Sequence, residues 1–450
     1  MKSFDRLVII ILLLVAGLIA FLVLQGDRVG VQINAFYPQP GEQLSAFSQI
    51  GIAFNQEMVK TSVEERLTIE PVMPGDFLWE NDTLWFRPAT TWQPDQVYSF
   101  TLQTGAESQD GRLLLEEQSW QAAVRQPGII YLVLDEHGGD LWRLDFETRT
   151  AWQLTQTEGS IIDYAVHPSG ETIAFSQTNQ NGGIDLSIID RDGNEFTTLI
   201  LCEHDLCSQP AWSPDGIYLA YVRETFSLVQ NRLESPQVWT LHIPTGETTP
   251  LYPQAETFGH SPSFSPDGSS LASYDIDREV IRILNLETSQ EFLVPSRLPE
   301  VGDWSPDSQS MVYLDLLPTA LEPFTGIYVA DLINQQITQA FGEFIEGFDF
   351  SPPKWSPESD WIAYSVRPSG GGISKLLWIQ KLGETDMLQI TDDLSATYSA
   401  YQWDPWGNRL VFQRFGLGAS DQHPSLWIWE WESGEPYMLV ERGARPQWLP

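Results

Sequence analysis

Cys202 and Cys207 are the residues whose type and spacing point most directly to chemistry. They are the only cysteines in the chain, and they flank Glu203-His204-Asp205-Leu206. Sulfur, imidazole and carboxylate groups bind metal ions, but this spacing matches no standard zinc pattern. In an oxidising compartment the same pair forms a disulfide across a short loop. We predict the disulfide, and a metal site using Cys202, His204, Asp205 and Cys207 is the alternative.

Motifs of catalysis are absent from the sequence. The chain has no Gly-x-Ser-x-Gly turn, no glycine-rich phosphate loop and no His-Glu-x-x-His pattern. Its six histidines are scattered singly. The sequence therefore predicts no catalytic residue, no metal ion and no cofactor, and a protein that is not an enzyme.

Composition restricts the class of partner. The chain has 61 acidic against 24 basic residues, which gives a net charge of −37. Because a phosphate backbone is bound by clustered Lys and Arg, this balance excludes a nucleic-acid partner. The 450 residues are 42% hydrophobic and 12% aromatic, enough for a core and for more than one domain.

One short segment recurs along the second part of the chain. Its best copy is Trp212-Ser213-Pro214-Asp215-Gly216, and related copies return at steps of 40 to 52 residues. A period of this length predicts a β-propeller. The repeated residues are Trp212, Pro214, Asp215, Gly216, Phe264, Pro266, Asp267, Gly268, Trp304, Pro306, Trp355, Pro357, Trp403, Pro405 and Trp448.

Each repeat has the local chemistry of a tight turn between strands. Proline presets φ, Asp bonds the backbone that follows it, and Gly accepts a positive φ. Residues 129–155 resemble strands two to four of a blade, and 446–450 resemble a missing first strand. One blade is therefore predicted to join both ends of the repeat region and close the ring. Seven blades are favoured, with six or eight as alternatives.

The Trp-Ser-Pro-Asp-Gly repeats resemble the propeller repeats of the TolB type, which also occur in relatives of prolyl oligopeptidase. The resemblance covers residues 129–450 and implies the fold of a domain at 128–450. It implies no particular function, because propellers have many unrelated activities.

Residues 30–126 are predicted to form a separate β-sandwich of short strands. Its strands include Leu84-Trp85-Phe86-Arg87-Pro88 and the alternating Val97–Leu102. The order of Tyr37-Pro38-Gln39-Pro40-Gly41, these strands and Trp120 resembles bacterial Ig-like domains of surface proteins. That resemblance implies a spacer. The predicted fold class is thus all-β apart from a transmembrane helix at the N-terminus.

The predicted helix comes from Leu7–Leu24, an uninterrupted apolar run of 18 residues. A run of this length crosses most of a bilayer core, and Lys2 and Arg6 before it predict a cytoplasmic N-terminus. A cleaved signal peptide is the alternative. We predict an anchor at residues 1–28, the membrane as one partner, and a single-pass protein with its bulk outside the cytoplasm, in a bacterial envelope.

Long insertions are predicted to lie on one face of the propeller. They follow the second strands or join successive blades, whereas the other turns are uniformly tight. Insertions on one face of a repeat protein often form a binding surface, and neutral drift is the alternative. The candidate contact residues are Phe226, Leu228, Leu321, Phe324 and Leu417.

The predicted function is that of a membrane-anchored, extracytoplasmic protein that binds or scaffolds a protein or peptide partner. The alternative is an enzyme that acts on envelope glycans or peptides with carboxylates in the propeller channel. Paired Asp or Glu side chains converging in that channel would favour the enzyme.

Overall fold

A computed structural model describes residues 15–16, 30–134, 138–253, 258–316, 324–341, 348–357, 360–367, 372–384, 387–418 and 423–450. The chain divides into two compact units, Met1–Arg125 and Gln126–Pro450. The described residues form an all-β fold, as the sequence predicted, with one short helix in the first unit.

The first unit is a sandwich of two antiparallel sheets. One sheet has the strand order β1-β2-β5-β4 and the other β3-β6-β7. Trp92 and Phe100 are fully buried between them, and the Trp92 indole Nε1 donates a hydrogen bond to the Ser48 carbonyl oxygen at 2.7 Å. The elements are β1 (Ile33–Tyr37), β2 (Ile50–Phe54), α1 (Lys60–Glu64), β3 (Leu67–Glu70), β4 (Gly75–Glu80), β5 (Thr83–Pro88), β6 (Val97–Leu102) and β7 (Gln118–Ala123).

The second unit is a succession of antiparallel blades. The first three contain β8 (Gly128–Leu134), β9 (Gly139–Asp145), β10 (Ala151–Gln153); β11 (Ile161–Val166), β12 (Thr172–Thr178), β13 (Ile184–Asp190), β14 (Phe196–Ile200); and β15 (Leu206–Trp212), β16 (Tyr218–Glu224), the hairpin β17 (Phe226–Ser227) and β18 (Arg232–Leu233), β19 (Gln237–His242), β20 (Glu247–Pro250).

Four further blades follow along the chain. They contain β21 (His260–Phe264), β22 (Ser270–Asp275), β23 (Val280–Asn285), β24 (Glu291–Pro295); β25 (Asp303–Trp304), β26 (Ser310–Leu316), β27 (Thr325–Asp331), β28 (Gln336–Gln339); β29 (Asp349–Phe350), β30 (Lys354–Trp355), β31 (Trp361–Arg367), β32 (Leu376–Lys381), β33 (Met387–Gln389); and β34 (Ala396–Trp403), β35 (Arg409–Gly416), β36 (Ser425–Glu430), β37 (Tyr437–Val440). The last strand is β38 (Ala444–Leu449), and it pairs with β8. The described strands therefore group into seven blades, the first of which contains both ends of the unit.

The repeated turn is held by its own side chains. Ser213 Oγ donates to Asp215 Oδ1 at 2.5 Å and accepts the Tyr218 N–H at 2.9 Å, while the Ile217 N–H donates to Asp215 Oδ1. The same pattern recurs at Ser265 with Asp267 and at Ser305 with Asp307. Each turn satisfies its backbone donors locally, which explains why the motif recurs.

Indole groups connect neighbouring blades. Trp212 Nε1 donates to the Ala165 carbonyl oxygen, and Trp403 Nε1 to the Lys354 carbonyl oxygen, both at 3.2 Å. Trp448 Nε1, on β38, donates to the Gln402 carbonyl oxygen at 3.1 Å. In each case the donor lies on the first strand of a blade and the acceptor on the first strand of the preceding one. The closing strand thus makes the same contact as the internal blades.

The transmembrane helix is the part of the predicted fold class that is wrong. No helix in the described part of the chain is long and apolar enough to cross a membrane. Apart from Val15 and Ala16, the run Leu7–Leu24 that gave rise to the prediction lies outside the described residues. The predicted anchor at 1–28, the membrane partner and the single-pass localisation are therefore not supported.

Candidate functional site

The two faces of the propeller differ in the length of their connections. Turns between first and second strands occupy 167–171, 213–217 and 265–269, five residues each, and 305–309, 356–360 and 404–408 are equally short. The long connections lie on the opposite face, where 225–236 in the third blade is the longest between paired strands and 276–279 in the fourth is only four residues. We call the first the turn face and the second the loop face.

The Cys202–Cys207 loop is part of the loop face, and its cysteines are joined in a disulfide. This pairing leaves neither sulfur as a thiolate for a metal. Asp185 Oδ1 accepts the Cys202 N–H at 2.8 Å and the Asn179 Nδ2–H at 2.9 Å, and Asn179 Nδ2 also donates to the Glu203 carbonyl oxygen. The disulfide loop is thereby fixed to the β12–β13 connection.

Asp205 fixes the neighbouring hairpin to the same loop. Its Oδ2 accepts hydrogen bonds from Arg223 Nε at 2.9 Å and Nη2 at 2.7 Å, and its Oδ1 accepts the Phe226 N–H at 2.8 Å. The ring centroids of His204 and Phe226 lie 6.1 Å apart. Because both carboxylate oxygens of Asp205 are bonded in a half-buried setting, the start of β17 is held firmly against the disulfide loop.

The tip of the β17–β18 hairpin presents apolar side chains to solvent. Leu228 is 80% exposed and Val229 is 96% exposed. Leu201 beside the disulfide is 74% exposed. Adjacent exposed apolar side chains on a rigidly held hairpin are typical of an interaction site. Single exposed apolar side chains are common on every protein surface.

The structure brings together only some of the predicted contact residues. Phe226 and Leu228 share the hairpin, where Phe226 is half-buried. Phe324 precedes β27 in the fifth blade and Leu417 follows β35 in the seventh, and both are half-buried. Leu321 lies outside the described residues. We define the hairpin platform as residues 201–207 and 226–233.

The contact-residue prediction omitted four residues of this platform, which are Val229, Leu201, His204 and Asp205. Leu228 and Val229 are two consecutive apolar residues inside a polar connection, and this pattern was a usable signal. The bonds of Asp205 to Arg223 and Phe226 leave no local pattern, because the partners lie 18 and 21 positions away.

Carboxylates on the innermost strands bear on the alternative of an enzyme. Asp163 Oδ2 accepts the Gln209 N–H at 2.9 Å, and burial raises the pKa of Asp163 to about 6. Asp303 pairs with Lys354 at 3.0 Å, and Asp349 pairs with both Arg367 and Lys375. Each of these carboxylates has a donor or cation as a partner, but the buried Oδ1 of Asp163 accepts no hydrogen bond within the described chain. No group of three or more His, Cys, Asp or Glu in the described chain is placed to hold a metal ion.

Comparison with known families identifies the first unit. A family model described as a bacterial Ig-like domain matches residues 27–121. This match confirms the predicted Ig-like domain. It covers well under half of the chain and leaves the propeller unassigned.

Solved structures show what the second unit resembles. The chain is similar to TolB from Acinetobacter baumannii, with 20% identity, 72% of this chain and 83% of that chain covered, and a TM-score of 0.44. The β-propeller domain of the Trilobed protease from Pyrococcus furiosus is 12% identical, with 77% and 93% covered and a TM-score of 0.50. Oligogalacturonate lyase from Vibrio parahaemolyticus is 12% identical, with 69% and 85% covered and a TM-score of 0.50. At such identities the likeness shows the fold alone.

Proposed function

We propose that this protein binds or scaffolds a protein or peptide partner on the loop face of its propeller, with the hairpin platform as the main contact. Residues 30–126 and 128–450 act as separate domains in this proposal. The Ig-like domain serves as a spacer and the propeller as the binding module.

The observation that carries the proposal is the exposure of Leu228 and Val229 on a braced hairpin. Burying a Leu or Val side chain in an interface contributes about 1.5–3 kcal/mol each. The Asp205 bonds and the disulfide hold the hairpin before a partner arrives, so little conformational entropy is lost on binding. A mobile loop with the same residues would bind less tightly.

The disulfide also supports a location outside the cytoplasm. Disulfides persist in oxidising compartments and are rare in reducing ones. The Ig-like domain is consistent with a location outside the cytoplasm, because the bacterial Ig-like domains that it resembles occur in surface proteins. The proposal includes no membrane anchor.

The fold does not decide between binding and catalysis, because the similar structures include TolB and a lyase. The inner-strand carboxylates Asp303 and Asp349 pair with cations, whereas Asp163 accepts a backbone N–H through Oδ2 alone. This pairing favours the binding protein over an enzyme with carboxylates in its channel.

Peptide selection tests the proposal and requires no identified partner. A phage-displayed random peptide library is panned against the purified chain, and the Kd of enriched peptides is measured for the wild type and for Leu228→Ser/Val229→Ser. We expect at least tenfold weaker binding by the double variant and an unchanged melting temperature, because these side chains support little of the core.

Ile333→Ser is the matched control. Ile333 is 69% exposed in a turn between third and fourth strands, on the turn face. It should leave peptide binding intact. Selected peptides that bind the double variant as well as the wild type would contradict the assignment of the loop face.

A further inference from the structure

The outer face of sheet β1-β2-β5-β4 in the Ig-like unit carries an apolar row. Tyr37 is in register with Gly51, Gly51 with Trp85, and Trp85 with Leu78. Residues in register on neighbouring strands point to the same face, so these four form one row across all four strands. Leu84 and Phe86 flank Trp85 along β5 and are buried, which places the indole on the opposite, solvent side.

Gly51 gives this row its shape. A Cβ atom at residue 51 would lie 2.6 Å from Trp85 Cζ3 and 2.9 Å from Tyr37 Cδ2. The two rings therefore fill the space above the glycine backbone, with centroids 5.3 Å apart and planes 30° apart. Tyr37 is 40% exposed and Leu78 48% exposed. The result is an aromatic surface in which both rings lie close to the backbone of β2.

Polar groups beside the row have no partner among the described residues. Asp76 and Arg87 are in register with each other two positions along from Leu78 and Trp85, and therefore on the same face. Within the part of the chain that the structure describes, neither forms an ion pair or a side-chain hydrogen bond, and the same holds for the Trp85 indole N–H. A carboxylate acceptor and two donors are thus available next to the rings.

We propose that this surface, defined as Tyr37, Gly51, Asp76, Leu78, Trp85 and Arg87, binds a neutral, extended polysaccharide chain. Sugar rings pair apolar C–H faces with hydroxyl groups that both donate and accept, which complements aromatic faces flanked by Asp76 and Arg87. This inference is independent of the binding proposed for the loop face.

Size and charge favour a sugar chain over the other occupants. The row crosses three strand spacings of about 4.8 Å each, so it is about 14 Å long and suits a short run of sugar units. A specific protein partner usually buries about 800 Å² on each side, far more than this row offers. The net charge of −37 disfavours polyanionic chains.

Isothermal titration of the full chain with cellohexaose and chitohexaose, two neutral β-1,4-linked hexasaccharides, tests the proposal. We expect binding of at least one of them. Trp85→Ala and Tyr37→Ala should each weaken it at least tenfold, and Arg87→Ala severalfold. Gly51→Ala should also weaken binding, because the new methyl group displaces both rings. Thermal melts establish that each variant is folded.

Val97→Ser is the matched control, since Val97 is 54% exposed on the other sheet. It should bind like the wild type. The proposal is overturned if neither neutral hexasaccharide binds, if Trp85→Ala binds equally well, or if only an acidic oligosaccharide such as hexagalacturonate binds.

Discussion

Removal of β38 should destabilise the whole propeller. Leu449 is fully buried, Trp448 is 7% exposed, and β38 pairs with β8 at Ala444 and, after a register shift, from Gln447 to Leu449. Truncating a buried Leu costs about 2–5 kcal/mol and a buried Trp about 3–5 kcal/mol. Deletion of residues 444–450 removes both and leaves β8 with an unpaired edge. The combined loss is comparable with the total stability of about 5–15 kcal/mol that native domains have.

Calorimetry of the truncated and full chains measures this loss. We expect the propeller transition of the truncated chain to disappear or to shift far down in temperature. A milder variant keeps the test informative when the truncation does not fold. Leu449→Ala should cost about 3 kcal/mol and lower Tm by roughly 4 °C, because a unit of this size has an unfolding entropy of about 0.7 kcal/mol/K.

The control for ring closure is Leu293→Ala. Leu293 lies on the outermost strand β24 and is 40% exposed, so its truncation should change Tm by only about 1 °C. If the truncated chain melts at the same temperature as the full chain, β38 does not close the ring as we argue.

Three further outcomes follow from buried groups. Burial raises the pKa of Asp163 to about 6, so the folded state binds more protons than the unfolded state between about pH 4 and 6, and stability falls as pH rises through that window. Asp163→Asn should therefore raise the unfolding free energy at pH 7.5 by about 1–3 kcal/mol and leave it unchanged near pH 3.5, as denaturant titrations at both values would show. Arg282→Met should cost about 3–5 kcal/mol, because it removes the cation 3.1 Å from the buried Asp275 and leaves only the exposed Arg278, 4.0 Å away. Arg282→Met/Asp275→Leu should recover part of the loss in the same titrations. Cys202→Ser/Cys207→Ser should lower stability by about 2 kcal/mol, because the loop-closure entropy of the unfolded chain is regained. It should also speed proteolysis at the hairpin tip, and equal cleavage rates of variant and wild type on gels would contradict this expectation.

Local patterns in the sequence predicted the strands and turns, because their causes are local. Ser213 and Asp215 form hydrogen bonds within their own turn, so the motif can be recognised in the sequence wherever it recurs. Pairings between residues far apart in the chain have no comparable pattern in the sequence. Asp163 bonds to the Gln209 N–H of the next blade, 46 positions away, and no spacing rule predicts that partner.

The candidate sites were predicted only in part. Leu228 was among the predicted contact residues, but its neighbour Val229 and the bonds of Asp205 that hold the hairpin were not. Leu84–Pro88 was predicted as a strand, but the unbroken apolar triplet Leu84-Trp85-Phe86 does not indicate which of its side chains faces solvent. The stacking of Trp85 over Gly51 depends on strand register, which one sequence does not specify.

The pairing of β38 with β8 has a consequence for synthesis on the ribosome. Strand β8 emerges first of the propeller strands, whereas its partner emerges after every other described strand has been made. Until then the first blade has an exposed edge and its buried face lacks Trp448 and Leu449. Because unpaired edges recruit other chains, the nascent propeller is most vulnerable to aggregation in the interval before β38 has emerged.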